Sequence, residues 1–390
     1  MARFVHNVYN CVMQKKIGIN GQMLLTNEPA GPELYTINLI RALAEADNTN
    51  LYTLYFPAEP DAVFWQNLTD ENPNFSYKVI DKSLSWTQTG LMKALYRDTP
   101  DVFFTAVHTM PMIRKPGMKT VGMIHGLEYN YAGTSGNLIR KLSLGKPEWF
   151  VAKYAEILIV PSNHTRKMIL EKNWGIPESK ITVVPEGVSG IFRKYPDEEI
   201  STVRERYGLT GRYLLFISTI QPRKNLPKLI EGFSLALKEL GGMDFKLVVV
   251  GKKGWDYEES LRAPERFHVQ NNVLFLGRVE DSDLPPLLSG ARAYVSTSFE
   301  EGFGLPLLEA MASEVPAIVS SIEAYTELAG DSVWYVNPED AEDIKNKVKS
   351  LMHGEYNQGM VEKAKEIAAH RTWENTARET LSVFEKVTGS

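Results

Sequence analysis

One cysteine, Cys11, stands among 390 residues. A single thiol excludes an intramolecular disulfide and a cysteine-built metal cage, and it suits a reducing compartment. No run approaches the ~20 apolar residues of a membrane span. The opening MARFVHNVYNCVMQKK breaks its apolar residues with His6, Asn7 and Asn10, which makes a poor signal peptide. Charge of one sign is also scarce: 43 Lys+Arg against 48 Asp+Glu leave a net −5. The chain as a whole therefore lacks the positive field of a nucleic-acid binder. The expected location is cytoplasmic, and nucleic acid is not an expected partner.

What is present is ordinary for a globular protein, with 43% hydrophobic and 23% charged residues. The length predicts two domains. Short apolar runs recur at Leu51–Phe56, Phe75–Ile80, Val102–Val107, Thr120–Ile124, Ile157–Val160 and Ile181–Val184. A second series lies at Tyr213–Ser218, Lys246–Val250, Val273–Leu276, Tyr294–Ser296, Ala317–Ser320 and Trp334–Val336. Helical patterns separate them. Apolar strands alternating with helices indicate α/β domains with parallel sheets covered on both faces. The Pro/Gly-containing stretch 187–196 reads as the linker between them.

The most informative stretch is Ser296–Ser313, STSFEEGFGLPLLEAMAS. A strand-like run leads into Glu301-Gly302-Phe303-Gly304, and apolar residues then recur at helical spacing. Pro306 is tolerated only in a first helical turn, so a helix must begin near Gly304. Strand, glycine loop and helix start together make an anion site from free N–H groups and the helix dipole. Glutamates near a helix start are common, and two of them eight apart are unspecific. The whole string, however, resembles the signature of the family-4 retaining glycosyltransferases of GT-B fold. That resemblance implies that Glu301 binds the hydroxyls of a donor sugar and Glu309 the ribose of its nucleotide. Glu314 departs from the small residue usual there, which is expected to affect packing or surface only.

Other motifs extend the resemblance over nearly the whole chain. Thr219-Ile220-Gln221-Pro222-Arg223-Lys224-Asn225 follows a strand and precedes a helix, with Asn225 as N-cap and Pro227 in the first turn. Two cations at a strand end suit a diphosphate, which Arg grips in a bidentate way. The family's Pro-Arg-Lys-Asn motif assigns the donor diphosphate to Arg223 and Lys224. Ser218 stands where members usually have glycine. Arg278 and Val279 follow a strand end where the family wraps the base. His125 ends the strand run at Ile124, and ligands of open α/β sheets bind at such ends; family members place a histidine there, beside the transferred sugar. His108 has a similar position and is read as structural. Gly31 sits at the mouth of the first helix as an acceptor or phosphate loop. Glu33 replaces the family's second glycine, and is expected to face the acceptor. Asp281-Ser282-Asp283 could suggest a metal, but Asp283 precedes Leu284-Pro285-Pro286 and is read as a helix N-cap.

The resemblance implies two Rossmann-like domains facing a central cleft. The first, 1–193, binds the acceptor and regains a C-terminal helix, 374–390. The second, 194–373, binds the nucleotide sugar. The expected activity is retaining transfer of a hexose, from a UDP-hexose such as UDP-glucose, to a glycan or lipid-linked acceptor in polysaccharide biosynthesis. Backbone N–H groups of Gly302, Phe303 and Gly304, with Leu305 beyond, complete the donor site. No metal and no cofactor are expected. A GDP-mannose-dependent mannosyltransferase, and an epimerase or hydrolase on the same fold, are the alternatives. A non-catalytic binder would leave His125, Arg223, Lys224, Glu301 and Glu309 together without a purpose, and a glycosidase would leave the cation pair unexplained. The stretch 138–153 mixes Arg140, Lys141, Lys146 and Lys153 with leucines, Trp149 and Phe150. A helix packed on the sheet with a solvated basic face is the favoured reading. A peripheral contact with an anionic membrane face is the other.

Overall fold

The computed structural model describes residues 14–26, 28–80, 85–127, 146–241 and 244–389. Thirteen strands in that range form two sheets, and every pairing is parallel. The first sheet contains β1 Lys16–Asn20, β2 Leu51–Phe56, β3 Phe75–Val79, β4 Val102–Thr105, β5 Lys119–Met123, β6 Ile157–Val160 and β7 Ile181–Val183. The second contains β8 Arg212–Ile217, β9 Phe245–Val250, β10 Val273–Gly277, β11 Ala293–Ser296, β12 Ala317–Ser320 and β13 Trp334–Val336. β2 to β13 match the twelve apolar runs to within two residues. The run Val102–Val107 stops as a strand at Thr105 because its hydroxyl turns the chain, donating to the carbonyls of Val107 at 3.2 Å and Thr109 at 2.9 Å.

Strand order decides where a ligand can sit. The first sheet runs β3-β2-β1-β4-β5-β6-β7 and the second β10-β9-β8-β11-β12-β13. In each, the order reverses beside its first strand, between β1 and β4 and between β8 and β11. Loops leaving two such strands diverge to opposite faces and open a crevice at their carboxyl ends. The inner strands of each sheet are buried on both faces under helices, which is why they read as continuous apolar runs, while the edge strand β3 is exposed from Ser76 to Val79.

The chain crosses between the two domains twice, at 184–196 and again at 370–373. The crossings pack together: the Val188 N–H donates to the Arg371 carbonyl at 2.8 Å. The last helix, Trp373–Thr388, returns to the first domain. Its Trp373, Ala377, Val383 and Phe384 join Tyr35, Leu39 and Phe104 in one core, with the Phe104 and Phe384 ring centroids 5.6 Å apart. Of the basic stretch 138–153, residues 138–145 lie outside the described residues. The remainder forms the helix Lys146–Tyr154, with Val151 and Ala152 buried on the sheet and Lys146 and Lys153 exposed.

Candidate active site

A cavity of about 410 Å³ lies between the two domains, at the carboxyl ends of both sheets. Gly31, His125, Ser218, Arg223, Lys224, Arg278, Val279, Glu301, Gly302, Phe303, Gly304, Leu305 and Glu309 all line it. Glu33 does not. Its carboxylate turns back to accept from the Ala30 N–H at 3.2 Å, at the start of the helix Gly31–Ala46. The expectation that Glu33 faces an acceptor is thereby corrected: an acid three residues into a helix finds the unpaired N–H behind it.

Local chemistry builds the glycine loop. Gly304 has φ +107 and starts the helix Leu305–Ala312, with Tyr325 ring atoms 2.7 Å from where a β-carbon would stand. Only glycine meets both demands. At Gly302 a β-carbon would fall 1.7 Å from the His125 carbonyl oxygen of the other domain. The Gly302 carbonyl in turn accepts from the Ser162 hydroxyl at 2.6 Å and the Thr165 hydroxyl at 3.1 Å. The loop is thus one point where the two domains touch.

Arg223 and Lys224 converge on Glu301. Lys224 Nζ lies 2.7 Å from Oε1 and 2.9 Å from Oε2, and Arg223 Nη1 is 2.9 Å from Oε2. Arg223 also donates to the Glu300 carbonyl, and the Phe299 N–H returns a bond of 2.9 Å to the Arg223 carbonyl. The loops after β8 and β11 are laced together by these contacts. Burial alone would raise the Glu301 carboxyl, but Lys224 and Arg223 overcome it and hold it down at about 2. Glu309 has the opposite fate. Burial, with a smaller push from the Glu186 charge, raises it to about 8.

His125 is held on both sides. Its Nε2 is 3.2 Å from the Ala106 carbonyl and its Nδ1 is 3.3 Å from Glu186 Oε1. A carbonyl can only accept, so Nε2 carries a hydrogen. The Tyr35 ring meets the imidazole edge-on at 4.7 Å. His108 instead faces Glu148, 3.2 Å from Nδ1, and does not line the cavity.

Two capping readings are corrected. The Asn225 side chain does not cap the helix Leu226–Glu239; it donates to the Pro338 carbonyl at 2.7 Å, and Asn225 itself has φ +53. The Asp283 carboxylate accepts from the Tyr207 hydroxyl at 2.9 Å and from Arg206, not from its own helix. Asp281 pairs with Arg278 at 2.9 Å. Glu314 sits just past the helix Leu305–Ala312 at φ +59, with its carboxylate on Lys365 at 2.8 Å. That left-handed backbone costs a glutamate roughly 1–2 kcal/mol relative to glycine.

Sequence reasoning missed Glu186 and Lys252, which also line the cavity. Lys252 follows β9, so the strand-end rule that favoured His125 would have found it. Glu186 had no comparable signal, because it lies in the crossing between domains and faces the site only once the domains meet.

Two family models match the chain, one on each domain. "Glycosyltransferase Family 4" covers residues 29–189, and "Glycosyl transferases group 1" covers residues 199–370. O-antigen chain mannosyltransferase B of Escherichia coli is 29% identical over 232 residues, 59% of this chain and 60% of that protein. O-antigen chain mannosyltransferase RfbU of Salmonella typhimurium is 27% identical over 252 residues, 63% of this chain and 64% of that protein. The matches therefore span under two thirds of these relatives' lengths. Anabaena Alr3699/HepE, solved in complex with UDP-glucose, superposes with a TM-score of 0.72 at 18% identity, covering 95% of this chain and 100% of that one. At that identity the likeness concerns the fold.

Proposed function

We propose that this chain, which belongs to the family-4 glycosyltransferases of GT-B fold, moves a hexose from a nucleoside-diphosphate sugar to a glycan or lipid-linked acceptor in polysaccharide biosynthesis. The observation that carries the reading is the convergence of Arg223, Lys224 and Glu301 beside the helix start at Gly304, inside a cavity both domains line. Two cations and a helix N-terminus suit the charge that grows on a departing diphosphate, without a metal.

The transfer is retaining. The bond from the anomeric carbon to the phosphate oxygen breaks, and the acceptor oxygen bonds to that carbon from the same face. The acceptor proton passes to the departing phosphate oxygen. Glu301 positions the sugar hydroxyls, Glu309 holds the ribose, and Arg278 and Val279 border the base. His125, braced by Glu186, lines the face of attack. The first domain receives the acceptor.

Of the donors, a UDP-hexose is the first reading. GDP-mannose is the second, and the mannosyltransferase names of the two relatives favour it. Labelled UDP-glucose and GDP-mannose, each offered with a cell-envelope extract, test both. Label in a polymer or lipid fraction supports transfer and names the donor. Free sugar or an epimer as sole product would replace transfer by hydrolase or epimerase chemistry.

A lipid-linked acceptor would require reaching a membrane face from the cytoplasm. In addition to Lys146 and Lys153, the first domain exposes Met112 by 67% and Ile113 by 63%, next to Arg114 and Lys115. Arg114 donates to the Tyr154 carbonyl at 2.7 Å, which joins this loop to the helix Lys146–Tyr154. Aliphatic tips among cations suit anionic lipid locally, against the net charge of −5. Sedimentation with anionic liposomes at low salt tests this contact, and protein left in the supernatant would exclude it.

A further inference from the structure

The domain contact at Gly302 is flanked by a second one built from charge. The helix Asn163–Glu171 of the first domain points its N-terminus at the helix Glu323–Ala329 of the second. The N–H groups of Asn163 and His164 donate to the two oxygens of Glu327 at 2.7 and 2.9 Å, as a helix start receives an anion. His164 then bridges two carboxylates. Its Nδ1 lies 3.0 Å from Glu323 Oε2, and its Nε2 lies 2.5 Å from Glu300 Oε1. Ionised carboxylates only accept, so both ring nitrogens donate and the ring is an imidazolium.

Glu300 is what connects this contact to chemistry. Its side chain holds His164 of one domain, while its backbone carbonyl accepts from Arg223 of the other. Its neighbour, Glu301, is clasped by Arg223 and Lys224. A shift of Glu300 therefore moves the groups assigned to the diphosphate. We propose that His164 is a positioning residue of the donor site, acting across the domain interface: it ties Glu300 to the first domain and so presents Arg223 to the phosphates. This rests on the reading of Arg223 and Lys224 as the phosphate grip.

The groups facing His164 set its response to pH. Glu300 comes from the loop after β11, and Glu323 and Glu327 from the helix Glu323–Ala329. Lys167 and Glu171 lie on its own helix and Lys172 just past its end; Lys167 pairs with Glu323 at 2.5 Å. Burial lowers the affinity of His164 for its proton, but Glu300 and Glu323 outweigh it, and the net shift is upward. A raised value means that the contact is complete below the ordinary histidine range, and is lost as pH rises through the raised value. A cavity of about 440 Å³ beside the ring gives water access to it.

Calorimetry on the full chain, with UDP and GDP as probes, tests the proposal at about pH 6 and about pH 9, either side of the histidine range. At the lower pH, His164→Ala should weaken nucleotide binding about tenfold, and Glu300→Gln should do so in the same direction. Wild-type affinity should fall toward that of His164→Ala at the higher pH, so that the difference between them closes. Glu309 titrates in both proteins and cancels from that difference. A folded His164→Ala or Glu300→Gln protein that binds like wild type at about pH 6 would overturn the proposal, as would a difference that persists at about pH 9. If wild type binds neither nucleotide, the reading of the phosphate grip fails instead. Small-angle scattering then decides the domain tie alone: His164→Ala should enlarge the radius of gyration, and an unchanged radius overturns it.

Discussion

Glu301 and Glu309 stand at the two ends of one motif, line one cavity and share a poorly solvated setting, yet they hold opposite charge states. Glu301 meets Lys224 and Arg223 and stays ionised, its carboxyl held at about 2. Glu309 meets no such pair; burial and the Glu186 charge push it up to about 8, so it is largely protonated at neutral pH. Burial raises both. The difference lies in what the rest of the fold brings opposite each: the loop after β8 delivers cations to one, and the crossing between domains delivers a third glutamate to the other. A protonated Glu309 offers a donor as well as an acceptor to a ribose diol, whereas Glu301 offers acceptors already filled by cations. On this reading a diphosphate entering the site competes with Glu301 for Arg223 and Lys224, which frees Glu301 for the sugar.

The largest effect should come from removing the cations that set the two glutamates apart. Arg223→Ala and Lys224→Ala should each lower transfer ~10²–10³-fold, the range for losing one charge-stabilising group. Near-wild-type turnover in a steady-state assay would remove the diphosphate assignment.

Next comes the division of roles. Glu301→Gln should harm turnover more than nucleotide binding, and Glu309→Ala the reverse. Calorimetry with free nucleoside diphosphate measures the binding half, and equal losses of affinity in both variants would contradict the division.

A smaller effect separates the two through stability. Glu309 is raised on folding, so the native state binds the extra proton and stability falls as pH rises from about 4.5 to about 8. Glu301 is lowered, so its stabilising share is lost as pH falls from about 4.5 to about 2. Glu309→Gln should therefore stabilise the ligand-free protein above about pH 8, by roughly 1–3 kcal/mol after allowing for water in the cavity. The gain should vanish near pH 5, where Glu309 is already neutral. Thermal unfolding across pH checks this, and a pH-independent gain would mean a packing effect.

The smallest expected effect is none at all. Chelation should leave transfer unchanged, because the cation pair and helix start carry the phosphate charge. An enzyme silenced by chelator and restored by magnesium or manganese would replace that reading.

The motif at Ser296–Ser313 was legible because its chemistry is local. Pro306 and Gly304 fix where a helix can begin, and the apolar runs fix strands whose two faces are buried. Ser218, Arg223, Lys224, Arg278 and Val279 were legible for a similar reason, since each follows a strand end. Side-chain capping was less so. Asn225 and Asp283 have the residue types and positions of caps, but Pro338, Arg206 and Tyr207 lie closer to their side chains in the fold. Glu33 failed in the other direction, because a bond within its own first turn takes the carboxylate away from the cleft.

Periodicity and constraints within a few residues account for the two α/β halves, the strand runs, the glycine loop and the residue types of a diphosphate site. Long-range packing alone makes Arg223 and Lys224 clasp Glu301, sets Glu186 against His125 and lets His164 bridge Glu300 and Glu323. The His164 pairs, which cross between domains, are 136 and 159 residues apart; His125 and Glu186 are 61 apart, and the Glu301 pairs 77 or 78 apart within the second domain. At such separations no local periodicity links the partners. Charge states follow from those meetings, since a buried carboxylate takes its ionisation from whichever group the fold sets against it.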